Sequence, residues 1–149
     1  HVYWEPGESK ERLKQVERLL EWLRLTPADA AMIVCGDFNG EPDQLAIKRM
    51  RKNFVSAYAA RHGKEPDYTC PTPLTSKRNK VEQFARNMRH KVLNFTAHQN
   101  PLWRGTLDYI FANDCVKVKS CDVVLNKPAP HDPTLYPSDH FGLTAELIL

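Results

Sequence analysis

A carboxylate and a carboxamide, Asp37 and Asn39, stand two residues apart at the end of a short apolar run, Met32 to Gly36. If that run is a strand, an extended backbone projects both side chains to one side. Two other places share this design. Asp108 interrupts the β-prone run Thr106 to Phe111, and Asp139 with His140 stands directly before the last apolar run, Phe141 to Leu149. Adjacent strands that brought these points together would assemble three carboxylates, one carboxamide and one imidazole. Carboxylates so close repel one another unless a cation or a proton joins them. Oxygen-rich donors suit Mg2+ or Mn2+ better than zinc, and no His-rich ligand set is visible. A phosphate substrate completes the cluster, because a metal neutralises its oxygens while a carboxylate activates water. Each signal also has a plainer reading: Asn39-Gly40 as turn formers, and Asp108 as a satisfied core aspartate.

The elements that must position these residues follow from periodicity. The run 32–36 is short enough for a buried strand and too short for a typical helix. Before it, Ser9 is placed to cap a helix to about Leu25. Leu13, Val16, Leu19, Leu20 and Leu23 fall at helical spacing, and Lys10, Arg12, Lys14, Glu17, Arg18 and Glu21 lie mainly on the solvated face. After Asn39, Asp43 is expected to cap a second helix to Lys52 that presents Leu45, Ile47 and Met50, and Phe54 to Tyr58 reads as a short strand. Residues 61–80 read as a surface loop, and 80–93 as a basic amphipathic helix with the pattern of an ordinary surface helix. Asp108 is expected inside a strand, buried, and therefore in need of a partner. Val116, Val118 and Val123 to Leu125 suggest another strand. Helices alternating with strands make this an α/β layered domain.

Composition bounds the rest. The 149 residues are one domain's worth of chain. A net charge of +3 permits an anionic partner without demonstrating one. The four cysteines, Cys35, Cys70, Cys115 and Cys121, form no C-x-x-C pair and read as reduced thiols, with Cys35 in the core strand. That points to an intracellular, cytoplasmic protein, with an organelle left open. No apolar stretch approaches the ~20 residues that cross a bilayer, so no membrane partner is expected. Nothing indicates an oligomer. The sequence begins at His1 with HVYW, as though inside a strand, which suggests the C-terminal piece of a longer chain.

In combination, CGDFN, then GTLDYIF, then YPSDHFGL resemble the endonuclease/exonuclease/phosphatase superfamily. HVYWEP, SAY followed by EPDYT, WRGTLDYIF and LYPSDHFGL look most like the branch of deadenylases, nocturnin, Angel and the 2'-phosphodiesterases. The resemblance implies an α/β/β/α sandwich of four layers, of which this chain supplies mainly the C-terminal half as residues 1–149, with a basic insertion at about 71–100. It implies Mg2+-dependent hydrolysis, with Mn2+ as the alternative. By the same resemblance Asp37 positions or deprotonates the attacking water and Asn39 holds the phosphate. Asp108 pairs with His140, Asp139 belongs to the metal side, and His1 contacts phosphate. Pro6 and Trp103 are the residues that would sandwich a base. The family's main metal-binding glutamate lies in an N-terminal half that these residues do not include. The expected function is a 3'-exoribonuclease of deadenylase type acting on RNA. A nocturnin-like 2'-phosphatase or a 2'-phosphodiesterase acting on a nucleotide is the alternative, and a truncated, inactive binding module is the reading from another class.

Overall fold

The structure, a computed structural model, describes residues 1–4, 9–73 and 103–149. Pro6 and the expected basic helix at 80–93 lie outside the described residues.

Helix α1 runs Lys10–Leu23, and the Ser9 side chain caps it by accepting from the Arg12 N–H at 3.2 Å. Such a cap contributes about 1 kcal/mol. Val16 and Leu20 bury fully on its inner face, as the periodicity requires. Arg12 does not sit on the solvated face. It is 1% exposed, one and two turns before Val16 and Leu20 on the same stripe, and its guanidinium donates to the Tyr3 carbonyl. A charged head at the end of a long stem can be buried this way when a carbonyl meets it.

Strand β1, Ile33–Asp37, pairs antiparallel with β3, Asp108–Ala112, which pairs on its other side with the short β2, Val55–Ser56. Tyr109 and Phe111 of β3 point to the core, where Phe38, Val16, Leu20, Ala46, Ile47, Met50 and Phe54 close around them. Phe38 meets both rings edge-on, at centroid distances of 5.9 and 5.2 Å. The opposite face of the same strands is open. Ile33 and Val55 are each 46% exposed, and Cys35 is exposed too. The expectation of a buried strand is therefore corrected. In the antiparallel sheet β1 is an edge, and only alternate residues, Val34 among them, meet the helices.

Helix α2 is Leu45–Met50, shorter than expected, with Gln44 rather than Asp43 at its N-cap and no side-chain cap bond. After β2 the chain turns directly into helix α3, Ala57–His62, where the sequence pattern suggests strand and loop. Ser56 caps it and Gly63, at φ 75°, ends it in the left-handed conformation that favours glycine. Helix α3 lies on a second sheet of two antiparallel strands, β4, Lys117–Val124, and β5, Gly142–Ile148. His62 Nε2 reaches the Cys121 carbonyl at 2.7 Å there. The valines at 116–125 thus belong to one strand and its approach. All four cysteines are free thiols. Among the described residues, no helix is long and apolar enough to cross a membrane.

Candidate active site

Strand register builds the site's centre. Asp37 closes β1 and Asp108 opens β3, and the two are direct partners across the antiparallel pair. Residues directly opposite in such a ladder project to one face. With Tyr109 committed to the core, that face is the open one. Asp108 is thus the first residue of its strand and not its buried middle, with its side chain 19% exposed.

The expected partner of Asp108 is present. Its Oδ2 lies 2.8 Å from His140 Nδ1. His140 arrives from the loop before β5, where its backbone N–H donates to Ser138 Oγ at 3.1 Å. The hydrogen bond that the Asp108 carboxylate accepts from the ring, seconded by a hydrogen bond to the Cys70 side chain, pushes the imidazole up to about 11. Asp37 is also shifted upward, first by burial and then by the charge of Asp108, against the lowering effect of the Asn39 N–H.

The His140 shift makes a testable demand on stability. Below the ordinary imidazole value of 6.5, folded and unfolded chains both carry the proton and the pair's contribution is whole. Between there and about 11 only the folded chain keeps it, so the contribution is lost as the pH rises. Urea unfolding of the protein and of His140→Gln across that range should give a stability difference that is largest at the acid end and narrows toward pH 11. A difference independent of pH would contradict the pairing.

The remaining expected residues fall into three groups. Asn39 and His1 join Asp37: the Asn39 N–H donates to Asp37 Oδ1 at 2.7 Å, and His1 Nε2 stands 3.2 Å from Oδ2. Asn39 reaches this place through a turn, at φ 46°, and not along an extended strand, and its Nδ2 donates to the Val2 carbonyl. Asp139 is exposed, accepts from Ser138 Oγ at 3.3 Å, and stays outside the central group. Trp103 is half-buried. Its Nε1 donates to Glu41 at 3.2 Å and its ring lies over Gly105, where an added Cβ would stand 2.5 Å from the indole.

A segment read from sequence as surface loop proves to be part of the framework. Thr69 and Thr72 are buried, and their neighbourhood is hydrogen-bonded both to Gly105–Asp108 and to Ser138–Phe141. Two threonines flanking a thiol between prolines was the available signal, but their partners are backbone groups, which no side-chain pattern announces.

Among the described residues, Asp37, Asp108 and His140 are the one group able to hold a metal ion, each offering an atom within 4.8 Å of the others. Two facing carboxylates and an imidazole thus meet on an open sheet edge, fed by two strand ends and a loop, in a domain of mixed α/β class. The sequence matches the Endonuclease/Exonuclease/phosphatase family over residues 2–140, and the chain belongs to that family. Solved structures share the fold. A functionally unknown conserved protein from Enterococcus faecalis V583 matches with a TM-score of 0.66 at 21% identity, over 99% of this chain and 48% of that one. The human nocturnin catalytic domain with bound sulfate matches at 0.59 and 26% identity, over 98% and 45%. An AP endonuclease from Archaeoglobus fulgidus matches at 0.61 and 19%, over 98% and 58%. The chain therefore spans about half the length of these structures. No curated protein matches it by sequence.

Proposed function

We propose that this chain is the C-terminal part of one endonuclease/exonuclease/phosphatase domain, and that the whole hydrolyses phosphodiester bonds in RNA as a metal-dependent 3'-exoribonuclease of deadenylase type. The observation that carries the reading is the juxtaposition of Asp37, Asp108 and His140. Support for the domain assignment comes from two sides: the solved relatives are about twice as long, and apolar Ile33 and Val55 lie open on the face that bears the carboxylates.

In this reading Asp37 accepts the proton of the attacking water, a task that suits a carboxyl whose pKa is raised by burial. His140, charged through neutral pH and steered by Asp108, presents its positive ring to the phosphate. Asn39 and His1 contact phosphate oxygens beside Asp37. Trp103, held over Gly105 by Glu41, stacks on the base. The donor set fits a hard cation. His140 is committed as a hydrogen-bond donor to Asp108, which leaves carboxylate oxygens of Asp37 and Asp108, with Asp139 as an outer carboxylate, to hold Mg2+ or Mn2+. When bound, that ion would neutralise charge on the phosphate oxygens.

The 26% identity to nocturnin supports a second reading, a 2'-phosphatase acting on a dinucleotide. One experiment separates them: the full-length protein with poly(A) RNA, NADP+ and 2',5'-linked adenylate in Mg2+, with and without EDTA. Shortening of poly(A), abolished by chelator and restored by Mg2+ or Mn2+, is expected. Release of phosphate from NADP+ alone would install the second reading. Undiminished hydrolysis in excess chelator would remove the metal from the account, and no turnover of any substrate would leave a binding module.

A further inference from the structure

One residue touches both sides of the Asp108–His140 pair without being part of it. Thr69 is 0% exposed. Its Oγ1 accepts from the backbone N–H groups of Leu107 and Asp108, at 3.0 and 3.2 Å. Its carbonyl accepts from the N–H of Phe141, directly after His140, at 2.7 Å. Its own N–H donates to the Gly105 carbonyl at 3.0 Å, which ties it to the approach to β3. Three residues on, Thr72 repeats the clasp: its N–H donates to the Asp139 carbonyl and its Oγ1 to the Ser138 carbonyl, at 2.8 and 2.7 Å. The backbone at Asp108 and the backbone at His140 are thus referenced to one rigid point, although neither strand pairing nor a helix joins them there.

We propose that Thr69 is a positioning residue for the reaction: its hydroxyl fixes Asp108 and its carbonyl fixes the His140 segment, so that the 2.8 Å contact between the two side chains is preset before substrate arrives. The kinetic part of this proposal rests on the hydrolase reading above. The structural part does not. The competing explanation is an ordinary buried threonine that only stabilises the fold, and Thr106 is the control for it. Thr106 is 2% exposed and its Oγ1 donates to the Pro66 carbonyl at 2.6 Å, but its side chain makes no bond to Asp108 or to the His140 segment.

The experiment compares full-length wild type, Thr69→Val, Thr69→Ser and Thr106→Val. Two readouts are taken: the exchange-protected ring N–H signal of His140 by NMR, assigned by its loss in His140→Gln, and kcat and KM on the RNA substrate. Valine keeps the shape of Thr69 and removes the acceptor. Since a misplacement of about 1 Å can cost about a hundredfold, Thr69→Val should lose the protected ring signal and lower kcat by about tenfold to a hundredfold at little-changed KM. Thr69→Ser should restore both, and Thr106→Val should lower the melting temperature while leaving both intact. Thr69→Val that keeps the ring signal and kcat while losing only stability would overturn the proposal, as would Thr69→Ser that fails to restore them. Should Thr69→Val not fold, Thr69→Cys, with a weak sulfur acceptor in the same place, decides by the same two readouts. If wild type turns over no phosphoester, the functional reading falls, and the ring signal alone still decides for or against Thr69.

Discussion

Replacing His140 with Ala is expected to lower kcat of the full-length protein by about two to three orders of magnitude, the span of one preorganised charge-stabilising group. Two losses combine. The imidazolium that Asp108 holds charged through neutral pH is gone, and with it the positive group proposed to face the phosphate. Asp108 then loses the partner that offsets its charge, opposite Asp37 on strands that place the two carboxylates as direct partners. Asp108→Asn should cost less, because the amide oxygen can still accept from Nδ1–H and orient the ring, although it no longer favours the charged form. Steady-state kinetics, with circular dichroism confirming the fold of each variant, check the order. Normal turnover by folded His140→Ala would withdraw its role.

How much of this was legible beforehand depends on what kind of partner each residue has. Asp37, Asp108 and His140 could be picked out because each breaks an apolar run, and a carboxylate in such a context needs a counter-group. That Asp37 and Asp108 are direct cross-strand partners was not legible, since register between distant strands is set by tertiary packing. The cap at Ser9 and the strands Asp108–Ala112 and Gly142–Ile148 followed from local pattern. Helix α3 did not: SAYAARHG is too short for a period to show, and only Ser56 and Gly63 marked its ends. Arg12 and Cys35 failed in opposite directions. A charge on a helix was assigned to water although a carbonyl awaited it, and an apolar strand residue was assigned to the core although its strand is an edge. Thr69 was missed because its bonds run to backbone, and any sequence supplies backbone.

Asp37→Asn should separate activity from stability. The carboxyl is held above its ordinary value chiefly by burial and further by the charge of Asp108, so its ionised form is a cost to the folded protein at neutral pH. An amide of the same shape keeps an acceptor for the Asn39 N–H and removes that cost. The variant is expected to melt at or above the wild-type temperature near pH 7 while kcat falls by about two to four orders of magnitude, because an amide cannot take a proton from water. A variant that loses both in step would make Asp37 a structural carboxylate.

In the proposed reaction, water attacks phosphorus at the site of Asp37, Asp108 and His140. This step is tested most directly by turnover of the phosphoester substrate in 18O-labelled water, with full-length wild type and Asp37→Asn side by side and the products read by mass spectrometry. One solvent-derived 18O is expected in the phosphoryl product of the wild type, and almost no labelled product from the variant in the same time. Label in the alcohol product, equal labelling by the two proteins, or no turnover by the wild type would contradict that step.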